Sequence, residues 1–406
     1  MGTARILVAS LPFAGHVGVM AAVSNELVRR GHDVVAYTGA KYHHRFVGAR
    51  WLPWTDAPDF DDAALARTFP RVGNLKGMRS NLANFADVLV GTAPGQVRDV
   101  LREDFDLVVT EHLAFGAGMA AELRGVPWAT VSLTPLTLPS RDLPPFGLPL
   151  MPAATGLERL RDRVLRPVVE SVAPRATDPL FDRARKQVGL DPRRRAFEAS
   201  YSKDLLLAQA VPGLEYVRSD LPAHVHFVGR LIDPPKPMAL PDWWPDLDGR
   251  TVVHVTQGTL ETGADDLVRP AIEALADLDV LVVATGPGLA GVPGNVRTAP
   301  FIPHDLLLPR TDLMITNGGW GGVLAAVEAG VPIVVVPGSL DKPEVARRVA
   351  WSGVGVRTRP VHLRKAVEEV LGEPRYRERA RELGSGIKAA GGAARAADLV
   401  EALMRR

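Results

Sequence analysis

The sequence has no cysteine in 406 residues, which excludes disulfide bonds and thiolate chemistry. An excess of charge of one sign is also missing. The 48 Lys and Arg residues and 46 Asp and Glu residues are interspersed and leave a net charge of +2, so nothing favours a nucleic-acid partner. The chain has neither an apolar run of about 18 residues nor a start that resembles a signal peptide. We therefore expect a cytoplasmic protein without a membrane span.

The composition is that of an ordinary globular protein, with 46% apolar and 23% charged residues. Its 406 residues exceed what a single hydrophobic core usually supports. Two domains of about 200 residues each are therefore expected.

A glycine-rich stretch in the second half of the chain combines several elements. The apolar run 312–316 predicts a strand, 317–322 a glycine-rich turn and 323–329 a helix that ends at Gly330. Residues 333–336 are apolar at every position, as in a parallel strand buried on both faces. The pattern predicts a β-turn-α-β unit.

The turn of this unit contains four glycines in six residues, Gly318, Gly319, Gly321 and Gly322. One or two glycines would be enough for a tight turn alone, which is the plainer interpretation. Glycines also let the backbone approach a ligand closely, and the first N–H groups of the following helix have no intrahelical partner and carry the positive end of the helix dipole. We therefore predict an anion site that fits a diphosphate.

The start of the chain also predicts a βαβ unit, with a strand at residues 5–10 and a turn at 11–16. His16 lies at the N-terminus of the predicted helix, where the dipole disfavours imidazolium and favours the neutral form that a general base needs. The alternative is that His16 is only a polar turn residue whose side chain is hydrogen-bonded to the backbone.

A second candidate residue follows the strand predicted at 106–110. Glu111 and His112 come directly after it. Because the carboxyl ends of parallel strands lie at one edge of a doubly wound sheet, we expect Glu111 to meet His16 and orient it.

Residues 51–104 and 135–200 show no regular apolar pattern but contain scattered aromatic side chains. Ordinary packing would explain each of them singly. As a set they are the candidate wall of a site for an apolar acceptor, because ligand pockets are mostly apolar. The candidates for this pocket are Phe13, Phe60, Phe85 and Phe146.

The second half follows a connection with five prolines at 233–245, which predicts a domain boundary nearby. Residues 286–291 match the dinucleotide fingerprint GxGxxG. We reject this match because the sequence continues through Val292-Pro293 into a strand-like segment at 295–299, which leaves no helix N-terminus for a pyrophosphate.

Together these segments resemble the nucleotide-sugar-dependent glycosyltransferases of family 1, especially bacterial members that modify polyketides and other natural products. The resemblance covers nearly the whole chain. It is carried by residues 11–16, 106–111, the VHFVGRL motif from Val225, VTQGT from Val255, FIPHDLLLP from Phe301, and 317–344. It implies the GT-B fold, an α/β architecture of two Rossmann-like doubly wound domains that face each other across a cleft.

The resemblance also implies that the chain is divided into three parts. Residues 1–224 would form the acceptor-binding domain and 225–388 the nucleotide-sugar-binding domain. Residues 389–406 would form a C-terminal helix that packs back on the N-terminal domain.

The resemblance implies a role for particular residues. His16 would deprotonate the acceptor hydroxyl, and Glu111 stands where such enzymes usually have an aspartate that pairs with the base. Asp341 and Lys342 fall at sugar-binding positions. The implied nucleotide and diphosphate residues are Thr259, Phe301, Ile302, His304, Asn317, Gly319, Trp320, Gly321, Gly322 and Val323.

Three residues depart from the family pattern and put the donor identity in doubt. Asn317 replaces a usual histidine at the diphosphate, Ala325 a glutamate that often holds the ribose, and Lys342 a glutamine that holds the sugar. Lys342 lies just before Pro343 at a predicted helix start. The alternative to contact with the sugar is that its side chain points away and pairs only with Glu344 or solvent.

The implied reaction is inverting transfer from a UDP- or dTDP-sugar, as co-substrate, to a hydroxyl of a small and largely apolar natural product. No cofactor and no metal ion are expected. The expected partners are the nucleotide sugar and the small-molecule acceptor, without nucleic acid, and a homodimer is left open. Two alternatives are a non-catalytic GT-B binding or auxiliary protein and a nucleotide-sugar epimerase.

Overall fold

The computed structural model describes residues 3–74, 77–145, 147–148, 150–193, 195–234, 238–258, 264–286, 288–289 and 291–405. The chain divides into two compact units. The first comprises Met1–Gln209, Val217–Asp233 and Gly391–Arg406, and the second comprises Ala210–Tyr216 and Pro234–Ala390.

The first unit is built on a sheet in which every pairing is parallel and which has seven strands among the described residues. In chain order the strands are β1 (Arg5–Ala9), β2 (Asp33–Tyr37), β3 (Arg50–Leu52), β4 (Leu107–Glu111), β5 (Trp128–Ser132), β6 (Leu205–Gln209) and β7 (Val225–Gly229). Their order in the sheet is β3-β2-β1-β4-β5-β6-β7.

Helices connect these strands. They are α1 (Ala14–Arg29), α2 (Leu65–Thr68), α3 (Pro70–Asn74), α4 (Gly77–Ala83), a π-helix (Asn84–Val90), α5 (Ala93–Val100), α6 (Phe115–Arg124), α7 (Gly156–Val172), α8 (Asp178–Gln187) and α9 (Ala196–Ala199). Short 3₁₀ turns lie at His43–Arg45, Asp62–Ala64 and Ala173–Ala176.

The second unit holds a sheet of six described strands, again with parallel pairing throughout, in the order β10-β9-β8-β11-β12-β13. The strands are β8 (Val252–Thr256), β9 (Leu281–Thr285), β10 (Val296–Ala299), β11 (Leu313–Thr316), β12 (Ile333–Val335) and β13 (Gly355–Arg357). The helices are α10 (Val268–Ala274), α11 (His304–Leu307), α12 (Trp320–Glu328), α13 (Lys342–Ser352), α14 (Leu363–Gly372) and α15 (Pro374–Ala389). The 3₁₀ turns are Trp244–Leu247, Ala264–Asp266, Leu308–Arg310 and Pro360–His362.

Alternate residues of the central strands enter different cores, because successive side chains of a strand point to opposite faces of the sheet. In the first unit Leu7 belongs to one buried cluster, whereas Ile6 and Val8 belong to another. The last helix, α16 (Gly392–Leu403), packs with α1 and contributes Ala396 and Val400 to the second cluster. Both faces are thus covered, which explains why the strand segments are apolar at nearly every position.

The α/β class and the parallel order of both sheets agree with the sequence prediction, but the domain boundary does not. Val225–Gly229 pairs in parallel with β6 and therefore belongs to the first sheet, not to a second domain that begins at residue 225. The second unit instead starts at Pro234, next to the proline-rich connection, and also includes Ala210–Tyr216.

The start of the helix after the glycine-rich turn also differs from the prediction. Helix α12 begins at Trp320, not at residue 323, with Gly319 as its N-cap in an extended conformation (φ −62°, ψ 126°). Gly318 has a φ of +93°. Gly321 and Gly322 lie inside the first turn of helix α12. They are therefore not part of the connection between β11 and α12. Among the described residues, no helix is long and apolar enough to cross a membrane.

Candidate active site

The first candidate site lies at the carboxyl edge of the first sheet, where β1 leads into α1. Nδ1 of His16 is 2.7 Å from Oε2 of Glu111, the last residue of β4. The Glu111 side chain is fully buried and that of His16 is 18% exposed. Neither atom makes an aligned hydrogen bond within the described part of the chain. Such contacts are often poorly aligned without substrate and tighten in the complex. The two predicted residues are therefore brought together.

Glu111 also holds the turn that precedes the histidine. Its Oε1 accepts a hydrogen bond from the backbone N–H of Leu11 at 2.6 Å. One buried carboxylate thus contacts both the turn and the imidazole. Because the carboxyl group is held by β4 and by Leu11, the Nδ1 edge of His16 faces an acidic side chain in a fixed position.

A residue that the sequence analysis missed caps helix α1. Oδ2 of Asp62 accepts a hydrogen bond from the N–H of Ala14 at 2.9 Å, and the N-cap residue Phe13 offers no side-chain acceptor. Asp62 in turn is held by the Tyr42 hydroxyl at 2.8 Å and by Lys41 Nζ at 2.6 Å. This contact satisfies one of the N–H groups that a helix start leaves without a partner.

Two of the predicted aromatic residues lie next to the histidine. The Phe13 ring is 5.0 Å from the His16 ring and 5.1 Å from that of Phe60, centroid to centroid. Phe85 packs instead against Phe115 and Phe197. Phe13, Phe60 and Phe85 are each only 5% exposed and belong to one hydrophobic cluster. Phe146, the fourth predicted pocket residue, lies outside the described residues.

His112 follows Glu111 and is almost completely buried, with 2% exposure. Its Nδ1 accepts the N–H of Leu133 at 3.3 Å, its Nε2 lies 3.3 Å from Thr134 Oγ1, and its ring stacks on Tyr201. Burial, and then the nearby His16, lower the pKa of His112 to about 3. The second histidine of this edge is therefore neutral.

The second candidate site is the glycine turn between β11 and α12. A Cβ at Gly318 would lie 3.1 Å from Val335 Cγ1 and 3.2 Å from the Lys342 carbonyl oxygen, and its φ is positive, so only glycine fits. At Gly321 a Cβ would have no heavy atom within 4 Å among the described residues. No described residue therefore blocks the helix start at Gly321.

The N–H groups available at this helix start agree in part with those expected. The N–H of Val323 donates to the Gly319 carbonyl at 3.0 Å, so the prediction that it faces the diphosphate is wrong. The helix begins three residues earlier than predicted, and the groups without an intrahelical acceptor shift with it to Gly319 through Gly322. Four N–H groups at the positive end of a helix dipole are a favourable environment for an anion.

Asn317, predicted at the diphosphate, is 3% exposed and directs its amide into the protein. Nδ2 donates a hydrogen bond to the Gln257 carbonyl, which ties the end of β8 to the turn. The backbone carbonyl of Asn317 accepts a hydrogen bond from the backbone N–H of Gly338 at 3.0 Å. Thr259, predicted to face the turn, lies outside the described residues.

The predicted nucleobase residues lie between β10 and α11. The Phe301 side chain is 66% exposed, whereas Ile302 is buried in a cluster with Leu307. An exposed aromatic face is available for stacking. His304 is the first residue of α11 and lies against α12.

The predicted sugar-binding residues lie at the start of α13. Asp341 is its N-cap residue, and Lys342 is only 7% exposed and packs against the Gly318 turn. Lys342 is therefore not a solvent-facing residue. Leu340 has a φ of +58°, an uncommon conformation for a residue with a Cβ. Strained backbone of this kind tends to occur at functional sites.

No helix was expected after the rejected GxGxxG match at residues 286–291, and the structure agrees for the described residues. The described residues between β9 and β10 contain no helix, so no helix N-terminus follows these glycines. The described side chains also include no group of three or more His, Cys, Asp or Glu placed to hold a metal ion.

Comparisons with known proteins identify the family. Residues 269–403 match the family described as erythromycin biosynthesis protein CIII-like, C-terminal domain. The chain is 43% identical to 4'-demethylrebeccamycin synthase of Lentzea aerocolonigenes, over 99% of this chain and 100% of that protein. The chain belongs to the nucleotide-sugar-dependent glycosyltransferases of family 1.

Two further comparisons agree with this glycosyltransferase assignment. The enzyme is 31% identical to UDP-glycosyltransferase 2 of Phaeomoniella chlamydospora, over 98% of this chain and 95% of that protein. Its fold matches the crystal structure of the glycotransferase of kitacinnamycin with a TM-score of 0.75 and 25% identity, over 99% of this chain and 100% of that one. The chain is therefore a glycosyltransferase that uses a nucleotide-sugar donor, with the GT-B fold.

Proposed function

We propose that this glycosyltransferase moves a sugar from a UDP- or dTDP-sugar to a hydroxyl of a small, largely apolar natural product, with inversion at the anomeric carbon and without a metal ion. The observation that carries the proposal is the distance of 2.7 Å between His16 Nδ1 and Glu111 Oε2. A histidine that is oriented by a buried carboxylate is the arrangement expected of a general base.

In the proposed reaction Nε2 of His16 removes the proton of the acceptor hydroxyl. The acceptor oxygen forms a bond to the anomeric carbon as the bond from that carbon to the diphosphate oxygen breaks, and the electron pair leaves with the diphosphate. Glu111 would stabilise the imidazolium that forms. General-base catalysis of this kind contributes on the order of 10²–10⁴-fold to the rate.

The leaving diphosphate needs positive charge when no metal ion neutralises it. The N–H groups at the start of α12 would supply it, with the open space at Gly321 admitting the phosphate oxygens. Phe301, 66% exposed, would stack on the nucleobase. Asp341 and Lys342 at the start of α13 would contact the donor sugar.

The apolar character of the acceptor is supported by the aromatic residues beside His16. Phe13 and Phe60 continue from the imidazole into a hydrophobic cluster, so an acceptor hydroxyl at His16 would have apolar neighbours. The 43% identity to 4'-demethylrebeccamycin synthase agrees with a natural-product acceptor.

The test begins with a thermal-shift screen of UDP- and dTDP-sugars, followed by transfer assays with a panel of hydroxyl-bearing aglycones and detection of the glycoside by mass spectrometry. His16→Ala is expected to lower transfer at least tenfold, on the order of the base contribution, while nucleotide affinity changes little. Glu111→Ala should cause a smaller loss. His44→Gln, which changes an exposed histidine of the same unit, is the control.

Wild-type turnover in His16→Ala with a hydroxyl acceptor would show that another group is the base. Transfer with retained anomeric configuration, determined by NMR of the product, would contradict the single-displacement mechanism.

A further inference from the structure

His304 lies directly on the first turn of α12. A Cβ at Gly322 would lie 3.4 Å from Cε1 of the His304 ring and 3.3 Å from the Met314 methyl carbon. Cε1 is the ring carbon between the two imidazole nitrogens, so both nitrogens lie close to the helix start. A side chain at position 322 would therefore crowd this imidazole against the first turn of α12.

A second histidine, His254, lies next to His304. It is the third residue of β8 and is fully buried. Its ring centroid is 5.7 Å from that of His304, with the ring planes at 69°. The two imidazoles are therefore neighbours, one buried in the sheet and one at the helix start.

The hydrogen bonding of His254 determines which of its ring nitrogens carries the hydrogen. Nδ1 lies 3.0 Å from the Val283 carbonyl oxygen, which can only accept, so Nδ1 carries the hydrogen and Nε2 presents a lone pair. Nε2 is buried and has no hydrogen-bond partner among the residues that the structure describes. Burial, and then the nearby His304, lower the pKa of His254 to about 3. His254 is therefore a neutral acceptor that lacks a donor.

The described elements that pack against α11 carry several charged residues. The helix α12 carries only Glu328, at its far end, and the 3₁₀ turn Leu308–Arg310 carries Arg310, which pairs with Asp248. Asp305 is the neighbouring residue on α11 itself, and β11, which carries Met314, has no charged residue. The His304 ring itself lies against the first turn of α12 and next to the His254 ring.

We propose that His304 binds the donor diphosphate as an imidazolium and that His254 accepts its second N–H, so that diphosphate binding takes up one proton from solvent. The inference rests on the proposed function, because it requires the nucleotide at the start of α12. An imidazolium has two donors, one for a phosphate oxygen and one for His254 Nε2, whereas a neutral imidazole has only one. The buried acceptor at His254 and the anionic ligand thus both favour the protonated form.

The test is isothermal titration calorimetry of UDP and of dTDP in buffers with different ionisation enthalpies, which counts the protons taken up on binding. Wild type is expected to take up more protons near pH 7 than His304→Gln. The phosphate's own titration is common to both proteins and cancels in the difference. His304→Gln should also weaken diphosphate binding about tenfold at pH 6 and less at pH 8, since a charge-assisted hydrogen bond is lost.

His254→Asn is the sharper variant. Its amide nitrogen can keep the hydrogen bond to Val283, while the acceptor at the Nε2 position is removed. Proton uptake should fall towards that of His304→Gln, although UDP or dTDP still binds. His362→Gln, which changes an exposed histidine of the same unit, should behave as wild type. Uridine and thymidine, which lack phosphate, should bind without the extra proton.

Equal proton uptake by wild type and His304→Gln, with both binding UDP or dTDP, would overturn the inference and leave the proposed function intact. Unchanged uptake in His254→Asn would overturn the role of the pair. An absence of UDP and dTDP binding by wild type at any pH between 6 and 8 would instead overturn the proposed donor and the inference with it.

Discussion

Asp62 accepts a hydrogen bond from the backbone N–H of Ala14 at 2.9 Å, although 48 residues separate the two in the sequence. The bond caps the helix whose third residue is His16. The Asp62 side chain is 6% exposed and is also bonded by Tyr42 and Lys41. The candidate base is thus held from two sides, by Glu111 at its ring and by Asp62 at its helix.

The first prediction is that Asp62→Ala lowers kcat about tenfold with little change in the KM for the nucleotide sugar. Loss of a helix cap costs about 1 kcal/mol of stability. A small displacement of a catalytic group lowers the rate without affecting donor binding. Steady-state kinetics and thermal unfolding measure the two effects.

Two variants serve as controls for this prediction. Asp62→Asn keeps an oxygen for the Ala14 N–H and should recover most of the rate. Asp61→Ala removes a 52% exposed neighbour that also contacts Lys41, and it should have little effect. Equal losses of kcat in Asp61→Ala and Asp62→Ala would mean that the rate depends on the loop as a whole and not on the helix cap that Asp62 provides.

The second prediction concerns acid stability. His112 has a pKa of about 3 in the folded protein because it is buried and lies near His16. In the unfolded chain its pKa is about 6.5, so below that pH the unfolded state binds more protons and the protein loses stability as the pH is lowered. The contribution of His112 should therefore be complete above pH 6.5 and decline by about 2 kcal/mol by pH 5.

The measurement is the free energy of urea unfolding of wild type and His112→Asn at pH 7 and pH 5. Asn can keep an acceptor for the Leu133 N–H but does not titrate. The advantage of wild type should shrink by about 2 kcal/mol between the two pH values. An advantage that is independent of pH would show that His112 is protonated in the folded state.

Much of the fold follows from the sequence because buried parallel strands are apolar at every position. The strands at residues 5–9, 107–111 and 333–335 each coincide closely with a predicted apolar run. The pairing of His16 with Glu111 was predictable for a related reason, since Glu111 ends β4 and His16 lies just beyond β1, and the carboxyl ends of these parallel strands share one edge.

The remaining features depend on tertiary contacts that carry no local signal. Asp62 caps a helix from a segment without a regular pattern, and its partner is 48 residues away. The sequence places the start of α12 too late because Gly321 and Gly322 resemble turn residues, whereas Gly318 alone supplies the positive φ of that turn. The membership of Val225–Gly229 in the first sheet depends on its pairing with β6, which the strand's own residues do not reveal.

The third prediction separates stability from nucleotide binding at the glycine turn. Gly321→Ala should leave the free energy of unfolding unchanged or raise it by up to about 1 kcal/mol, because alanine favours a helix and its Cβ would meet no protein atom within 4 Å among the described residues. The methyl group would occupy the space proposed for the diphosphate, so affinity for UDP or dTDP should fall at least tenfold.

Gly318→Ala is the matched comparison. Its φ of +93° and its contacts at 3.1 and 3.2 Å predict a loss of stability of about 1–3 kcal/mol. Calorimetry gives the affinities and thermal unfolding the stabilities. Normal nucleotide affinity in Gly321→Ala would place the diphosphate elsewhere.

The last prediction concerns Lys342, whose Cβ and carbonyl oxygen pack against Gly318. The residue is 7% exposed and adjoins the glycine turn that we propose binds the diphosphate. A lysine offers three donors and a positive charge but no acceptor, whereas the glutamine usual in the family offers both. A donor sugar with a carboxylate would suit lysine, and an amino sugar would not.

Lys342→Gln should therefore lower the ratio of kcat/KM for a uronic acid donor over the matching neutral donor. A hydrogen bond between charged groups contributes about 1.5–3 kcal/mol, which corresponds to tenfold or more. The ratio for an amino sugar over the neutral donor should rise. Lys365→Gln, at an exposed lysine of the same unit, should change neither ratio. If Lys342→Gln also left both ratios unchanged, Lys342 would contact the glycine turn without contacting the sugar.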